Sequence, residues 1–346
     1  MSYQLKNTGT QKVGYWLLLG VFMIFVQVIL GGITRLTGSG LSITEWDVIK
    51  GTLPPMNLEQ WTAAFNKYKQ IPQYEILNEG MSLAEFKKIY FWEYIHRFWG
   101  RVTGLVFFFP FVYFLTKRYI KKEEIYKYVI IMLLAAIQAA MGWIMVASGL
   151  EDRVYVDPVK LMLHLFFATL LLIFVYRLAL ENLGPPNVRL YDKWIRKLLT
   201  FLVLLTILQI CLGGLVAGSK AALAYPTWPK MGNVWIPGNM LSLQPLWLNL
   251  VENLATIQFM HRTVAYILVI YTFFLILKCS RLNTSDSFHR GRLYLLMAIS
   301  VQLLLGIFTV MNSKTQIPVA LGVLHQLGAM VFLLIGVYLH YVYKYK

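Results

Sequence analysis

The 346-residue chain is poor in cysteine and poor in charge, acidic charge above all: two Cys, and 16 Asp and Glu against 32 Lys and Arg. Cys211 lies inside an apolar run and Cys279 at the end of another. They sit at different levels, which speaks against a disulfide or a thiol–metal site. Charged residues make up 14% and hydrophobic ones 58%, and the mean hydropathy of +0.58 excludes a soluble domain. No cleavable signal or transit peptide is evident. Residues 1–14 are short and polar and lead straight into an apolar run, which favours a bacterial cytoplasmic membrane over an organelle.

What is present is long apolar sequence. Eight segments, near 15–30, 91–115, 127–149, 159–180, 198–217, 254–277, 293–312 and 318–341, are long enough to cross a bilayer, which takes about 20 residues each. Such spans must be helices, because an open sheet edge finds no hydrogen-bond partner in lipid. The expected fold is therefore an all-α integral membrane protein with eight transmembrane helices. With the N-terminus inside, the cytoplasmic segments carry 18 Lys and Arg in 67 residues and the outer ones 11 in 112. This positive-inside bias predicts that both termini are cytoplasmic. The net charge of +16 then reads as membrane orientation, and nucleic acid is not an expected partner.

The chain also repeats itself. "QVILGGITR" at Gln27 returns as "QICLGGLVA" at Gln209, an offset of 182. His96, Gln138 and His164 return as His261, Gln302 and His325 at offsets of 165, 164 and 161. Four anchors in one order indicate duplication. Each half begins on the same side, so the repeats are parallel, related by an axis along the membrane normal. The prediction is two pseudo-symmetric four-helix bundles, residues 1–197 and 198–346. The first carries a long outer loop at 31–90. Within it "NLEQWTAAFNKYKQ" and "SLAEFKKIYFW" read as short helices with Asn or Ser caps and a Glu close behind. The shorter outer loop of the second half, "AYPTWPKMGNVWIPGN", suits either an interfacial aromatic belt or a cap over a site.

Of six histidines, His289 and His340 lie at cytoplasmic positions. His96, His164, His261 and His325 each fall five to seven residues into a predicted span that starts on the outer side. At 1.5 Å per residue they share a depth of roughly 10 Å. A lone intramembrane histidine suits a helix–helix hydrogen bond; four at one depth, paired by repeat, suit a functional site. Two histidines per bundle are too few for zinc, whereas a flat macrocycle between helices takes two axial imidazoles. The residues alone thus predict one haem per bundle. Arg97 and Arg262 follow the first histidine of each half, placed either to pair with a haem propionate or to snorkel to the headgroups. Three residues before these histidines stand Glu93 and Gln258, one helix face with His96 and His261. Only the carboxylate can exchange a proton near neutral pH, which marks the first half as the one with acid–base chemistry. The alternative is that Glu93 sits at the interface and caps its helix.

The stretches "GGITRLTGSGLSITEWDVIKGTLPP" and "EYIHRFWGR", with the paired histidines, resemble the haem A synthase family over nearly the whole chain. One branch of that family has a cysteine pair in the first outer loop; this chain has none there, and its long first loop agrees with the other branch. The resemblance implies an enzyme that oxidises the C8 methyl of haem O twice, with oxygen from water or dioxygen, to the formyl group of haem A used by terminal oxidases. It implies a haem b cofactor in the second half on His261 and His325, with Arg262 beside it. It implies substrate haem O in the first half near His96, His164 and Arg97, with Glu93 catalytic. Haem O synthase and an external electron donor are the implied partners, in a lipid membrane, and a homo-oligomer is left open. A dihaem b-type electron-transfer cytochrome explains the four histidines equally, but neither the structured outer loop nor the lone glutamate. A transporter would suit the repeat, yet no span is clearly broken at mid-membrane.

Overall fold

The computed structural model describes residues 8–46, 50–151, 153–184, 192–280, 282 and 285–344. Residues 47–49 of the first-loop motif, and Lys6, Arg189, Arg281 and Lys346 of the charge count, lie outside the described residues. Among the described residues ten α-helices follow one another: α1 Thr8–Leu36, α2 Leu58–Tyr68, α3 Pro72–Leu77, α4 Leu83–Thr116, α5 Ile125–Leu150, α6 Pro158–Leu183, α7 Lys193–Ser219, α8 Leu254–Ser280, α9 Asp286–Met311 and α10 Val319–Lys344. All but α2 and α3 are long and apolar enough to cross a membrane. The shortest of these eight have 26 residues, about 39 Å of helix against a hydrocarbon core of about 30 Å. Their starts are set by local chemistry. Asp157, Asp192 and Ser285 accept N-terminal amide hydrogens of α6, α7 and α9, satisfying donors that a helix cannot bond internally.

The helices pack in matching sets. In the first half α1 packs on α4 and α6, and α6 on α5; in the second α7 packs on α8 and α10, and α10 on α9. Contacts of α6 with α7, α1 with α10 and α6 with α10 join the halves. One apolar core gathers Leu17, Phe111, Tyr128 and Leu172, another Leu202, Phe288, Phe332 and Tyr343. Both lie towards the ends where the chain enters α1 and α7, away from the long loops.

One expectation needs correction. The stretch "SLAEFKKIYFW" is not a separate helix but the first turns of α4. A capping box between Ser82 and Glu85 sets that start, and no Gly or Pro interrupts the chain between it and the span. The short helix α3, with Pro72 at its first position, was not foreseen. The division at 197/198 falls inside α7, which begins at Lys193.

The long outer loop has a core of its own, in which Leu41, Phe65, Tyr68 and Ile71 pack on Phe86 of α4. The expected helix at "NLEQWTAAFNKYKQ" is α2, and its cap Asn57 accepts from the Gln60 amide. The Tyr68 hydroxyl donates to Gln73 Oε1 at 3.0 Å and accepts from Asn78 Nδ2 at 2.6 Å. The loop is thus a folded cap held to the N-terminal end of α4.

Candidate functional site

Each of the four histidines rests against the helix that precedes its own span, and each meets the same two residues. His96 on α4 meets Gln27 and Gly31 of α1. His164 on α6 meets Gln138 and Gly142 of α5. His261 on α8 meets Gln209 and Gly213 of α7, and His325 on α10 meets Gln302 and Gly306 of α9. In every case glutamine and glycine are four residues apart, one helical turn on one face. The repeating unit is therefore a helix pair: an ascending helix with Gln-x-x-x-Gly and a descending helix with His.

The glycine makes room for the ring. A Cβ at Gly31, Gly142, Gly213 or Gly306 would lie 3.0, 3.1, 3.3 or 2.9 Å from the histidine Cε1. The glutamine Nε2 lies 3.1 Å from Nδ1 of both His261 and His325. In the first half Gln27 is 3.3 Å from both ring nitrogens of His96, and Gln138 is 3.2 Å from His164 Nε2. Gln27, Gln209 and Gln302 also donate to the main-chain oxygen of their histidine. All four glutamine Oε1 atoms are buried without a hydrogen-bond partner.

The second-half pair suits a metal between two imidazoles. The ring centroids of His261 and His325 are 6.4 Å apart with planes at 83°. Imidazole–metal bonds of about 2 Å on either side of one ion, with the ring radii added, give a separation of that size. Among the described residues no cluster of three or more His, Cys, Asp or Glu could hold a metal ion, so the donor set is two imidazoles and not a zinc cage. The residues thus fit a haem with two axial histidines. His164 lies close enough to His96 to act on it electrostatically, and the two form the corresponding pair of the first half.

The residues around these pairs face the outer loops. Glu93, 2% exposed, has both oxygens engaged. One accepts from the Ser42 hydroxyl at 2.8 Å and the Ile43 amide at 2.9 Å. The other accepts from Arg97 Nη2 at 2.6 Å and Nε at 3.1 Å. Arg97 goes on to donate to the main-chain oxygens of Ile43 and Glu45. In the second half Arg262 donates to the oxygens of Tyr225 and Lys230, and Gln258 Nε2 also donates to Tyr225. Both arginines thus fasten an outer loop to the helix that carries a histidine. Neither snorkelling nor propionate pairing, the two sequence readings, includes this role. It was not visible in the chain because Ser42 and Ile43 lie some fifty residues before Glu93.

Fold and site together define a polytopic helical membrane protein with paired intramembrane histidines. Residues 14–337 match the family model described as Cytochrome oxidase assembly protein, COX15-CtaA, and the chain belongs to that family. Among curated relatives, the Heme A synthase of Parvibaculum lavamentivorans is 40% identical over 94% of this chain and 92% of its own. That of Azorhizobium caulinodans is 42% identical over 94% and 92%, and that of Flavobacterium johnsoniae 38% over 92% and 94%.

Proposed function

We infer that this chain is a haem A synthase: an integral membrane oxidoreductase that converts the C8 methyl of haem O to the formyl group of haem A. The observation that carries this reading is the duplicated histidine pair, each ring seated by Gln and Gly, in a chain of this family. The two halves act as pseudo-symmetric bundles. His261 and His325 hold a haem b, which supplies one-electron transfer when bound. Arg262 keeps the second outer loop closed over that half.

Haem O is the substrate and lies in the first half between His96 and His164. The first outer loop, with its own core and its latch to Arg97, shields that side from water. Glu93 is the proton-handling group. Its carboxylate is held by a guanidinium, an amide and a hydroxyl, and Ser42 is the neighbour through which a proton can pass. Gln258 holds the equivalent place in the second half, where no proton need move. An electron-transfer cytochrome would need no such difference.

The positive-inside bias places both termini in the cytoplasm of a bacterial host and both histidine pairs towards the outer leaflet. Haem O synthase supplies the substrate, and an external redox partner exchanges the electrons. The test is haem stoichiometry and absorption of the purified protein, with His261→Ala and His325→Ala beside it. Either change is expected to abolish the low-spin b-type spectrum. A normal spectrum in both variants overturns the assignment of that half.

A further inference from the structure

The four Gln-x-x-x-Gly segments have no part in the reaction as inferred above, yet they are the most regular feature of the site. An imidazole that binds metal through Nε2 carries its proton on Nδ1, and that N–H is usually fixed by an acceptor. In the second half a glutamine amide nitrogen lies 3.1 Å from Nδ1 of both His261 and His325, that of Gln209 also lying 3.4 Å from Nε2 of its ring. The amide nitrogen faces the ring, while Oε1 is buried without a partner. Nitrogen and oxygen of an amide differ by half a turn about its last bond. Turning it brings an acceptor to Nδ1 and gives Oε1 the partner it lacks. The donor bond to the histidine main-chain oxygen is then lost, and Oε1 must sit farther from that oxygen than the 3.1 and 2.9 Å at which Nε2 of Gln209 and Gln302 now lies. The main-chain oxygen lies inside α8 or α10, where it keeps the helix's own N–H. Gly213 and Gly306, beneath Cε1, let the ring lie close enough for this contact.

We propose that Gln209 and Gln302 are positioning residues for the axial histidines of the second half. Each amide accepts from Nδ1–H of His261 or His325, directs Nε2 to the iron and raises the basicity of the ligand. The proposal rests on the reading that these two histidines hold a haem.

Reduction potential separates this role from simple packing. An acceptor at Nδ1 makes imidazole a stronger donor and favours ferric iron, so its loss raises the midpoint potential and a stronger acceptor lowers it. Gln209→Leu is expected to raise the potential of the b-type haem and to weaken haem retention by about ten- to a hundredfold. Gln209→Glu, close in shape, is expected to lower the potential while keeping the bis-histidine low-spin spectrum. Gln302→Leu and Gln302→Glu should repeat the pair of opposite shifts. Equal potentials, or shifts of one sign in both substitutions, overturn the proposal. Should Gln209→Leu not fold, the Glu variants decide alone, and a potential that does not fall counts against the idea. His261→Ala is the control. If it leaves the haem spectrum intact, the assignment of the second half is at fault rather than the role of the glutamines.

Discussion

Glu93 ties the cap to the helix that carries His96. Its oxygens meet four donors, from Ser42, Ile43 and Arg97. An amide in its place has one acceptor oxygen and turns a donor towards other donors. Glu93→Gln is therefore expected to keep the b-type spectrum of the second half while haem A formation falls by about a hundredfold or more, with hydroxylated haem accumulating. Haem A made at the normal rate removes Glu93 from proton transfer. Arg97 and Arg262 separate latch from counter-ion. Arg97→Gln leaves a buried carboxylate unpaired, a cost on the order of 3–5 kcal/mol, and is expected to expose residues 43–46 to protease. Arg262→Gln removes only bonds to main-chain oxygens, each worth about 1–3 kcal/mol for a charged donor. Its outer loop should loosen less. Equal proteolysis of both variants would show that the ion pair adds nothing to the latch.

At the scale of the helix, the close approach of ring to glycine can be tested by one methyl group. Gly306→Ala would place Cβ 2.9 Å from His325 Cε1, and Gly213→Ala 3.3 Å from His261 Cε1. Overpacking of this kind costs about 1–3 kcal/mol, so haem b retention should fall more for Gly306→Ala than for Gly213→Ala. Gly104, where a Cβ meets nothing within 4 Å, is the control, and Gly104→Ala should leave the spectrum unchanged. The reverse order in haem content would contradict the cradle. The spans themselves were legible in the sequence, because a bilayer-length apolar run has one stable backbone. Helix ends were less so. The capping box at Ser82 carries α4 two turns beyond the hydrophobic run, through residues whose apolar partners lie in the cap. The glutamines and glycines stood in the repeat from the start, and a Gln four residues before a Gly on each ascending helix was a usable signal. Which ring each pair receives depends on helix neighbours, which sequence spacing does not give.

At the scale of the molecule, the eight spans and the repeated order of glutamine and histidine were readable because each depends on order along the chain. The closure of the loops was not, since Arg97 and Arg262 find partners brought near only by folding of the cap. The matching packing of α1, α4, α5 and α6 with α7, α8, α9 and α10 supports the proposed reading, in which the two haems belong to separate helix sets. His96→Ala and His164→Ala are therefore expected to leave the b-type spectrum in place while stopping turnover. Loss of that spectrum in either variant would mean the halves share one site.

The central claim is tested most directly by the pigments of a membrane. In a host that makes haem O but lacks its own haem A synthase, expression of this chain should convert haem O to haem A in extracted haems, and the His261→Ala chain should leave haem O to accumulate. Haem O that persists unchanged beside a folded, haem-loaded protein would contradict the account and favour a cytochrome that only carries electrons.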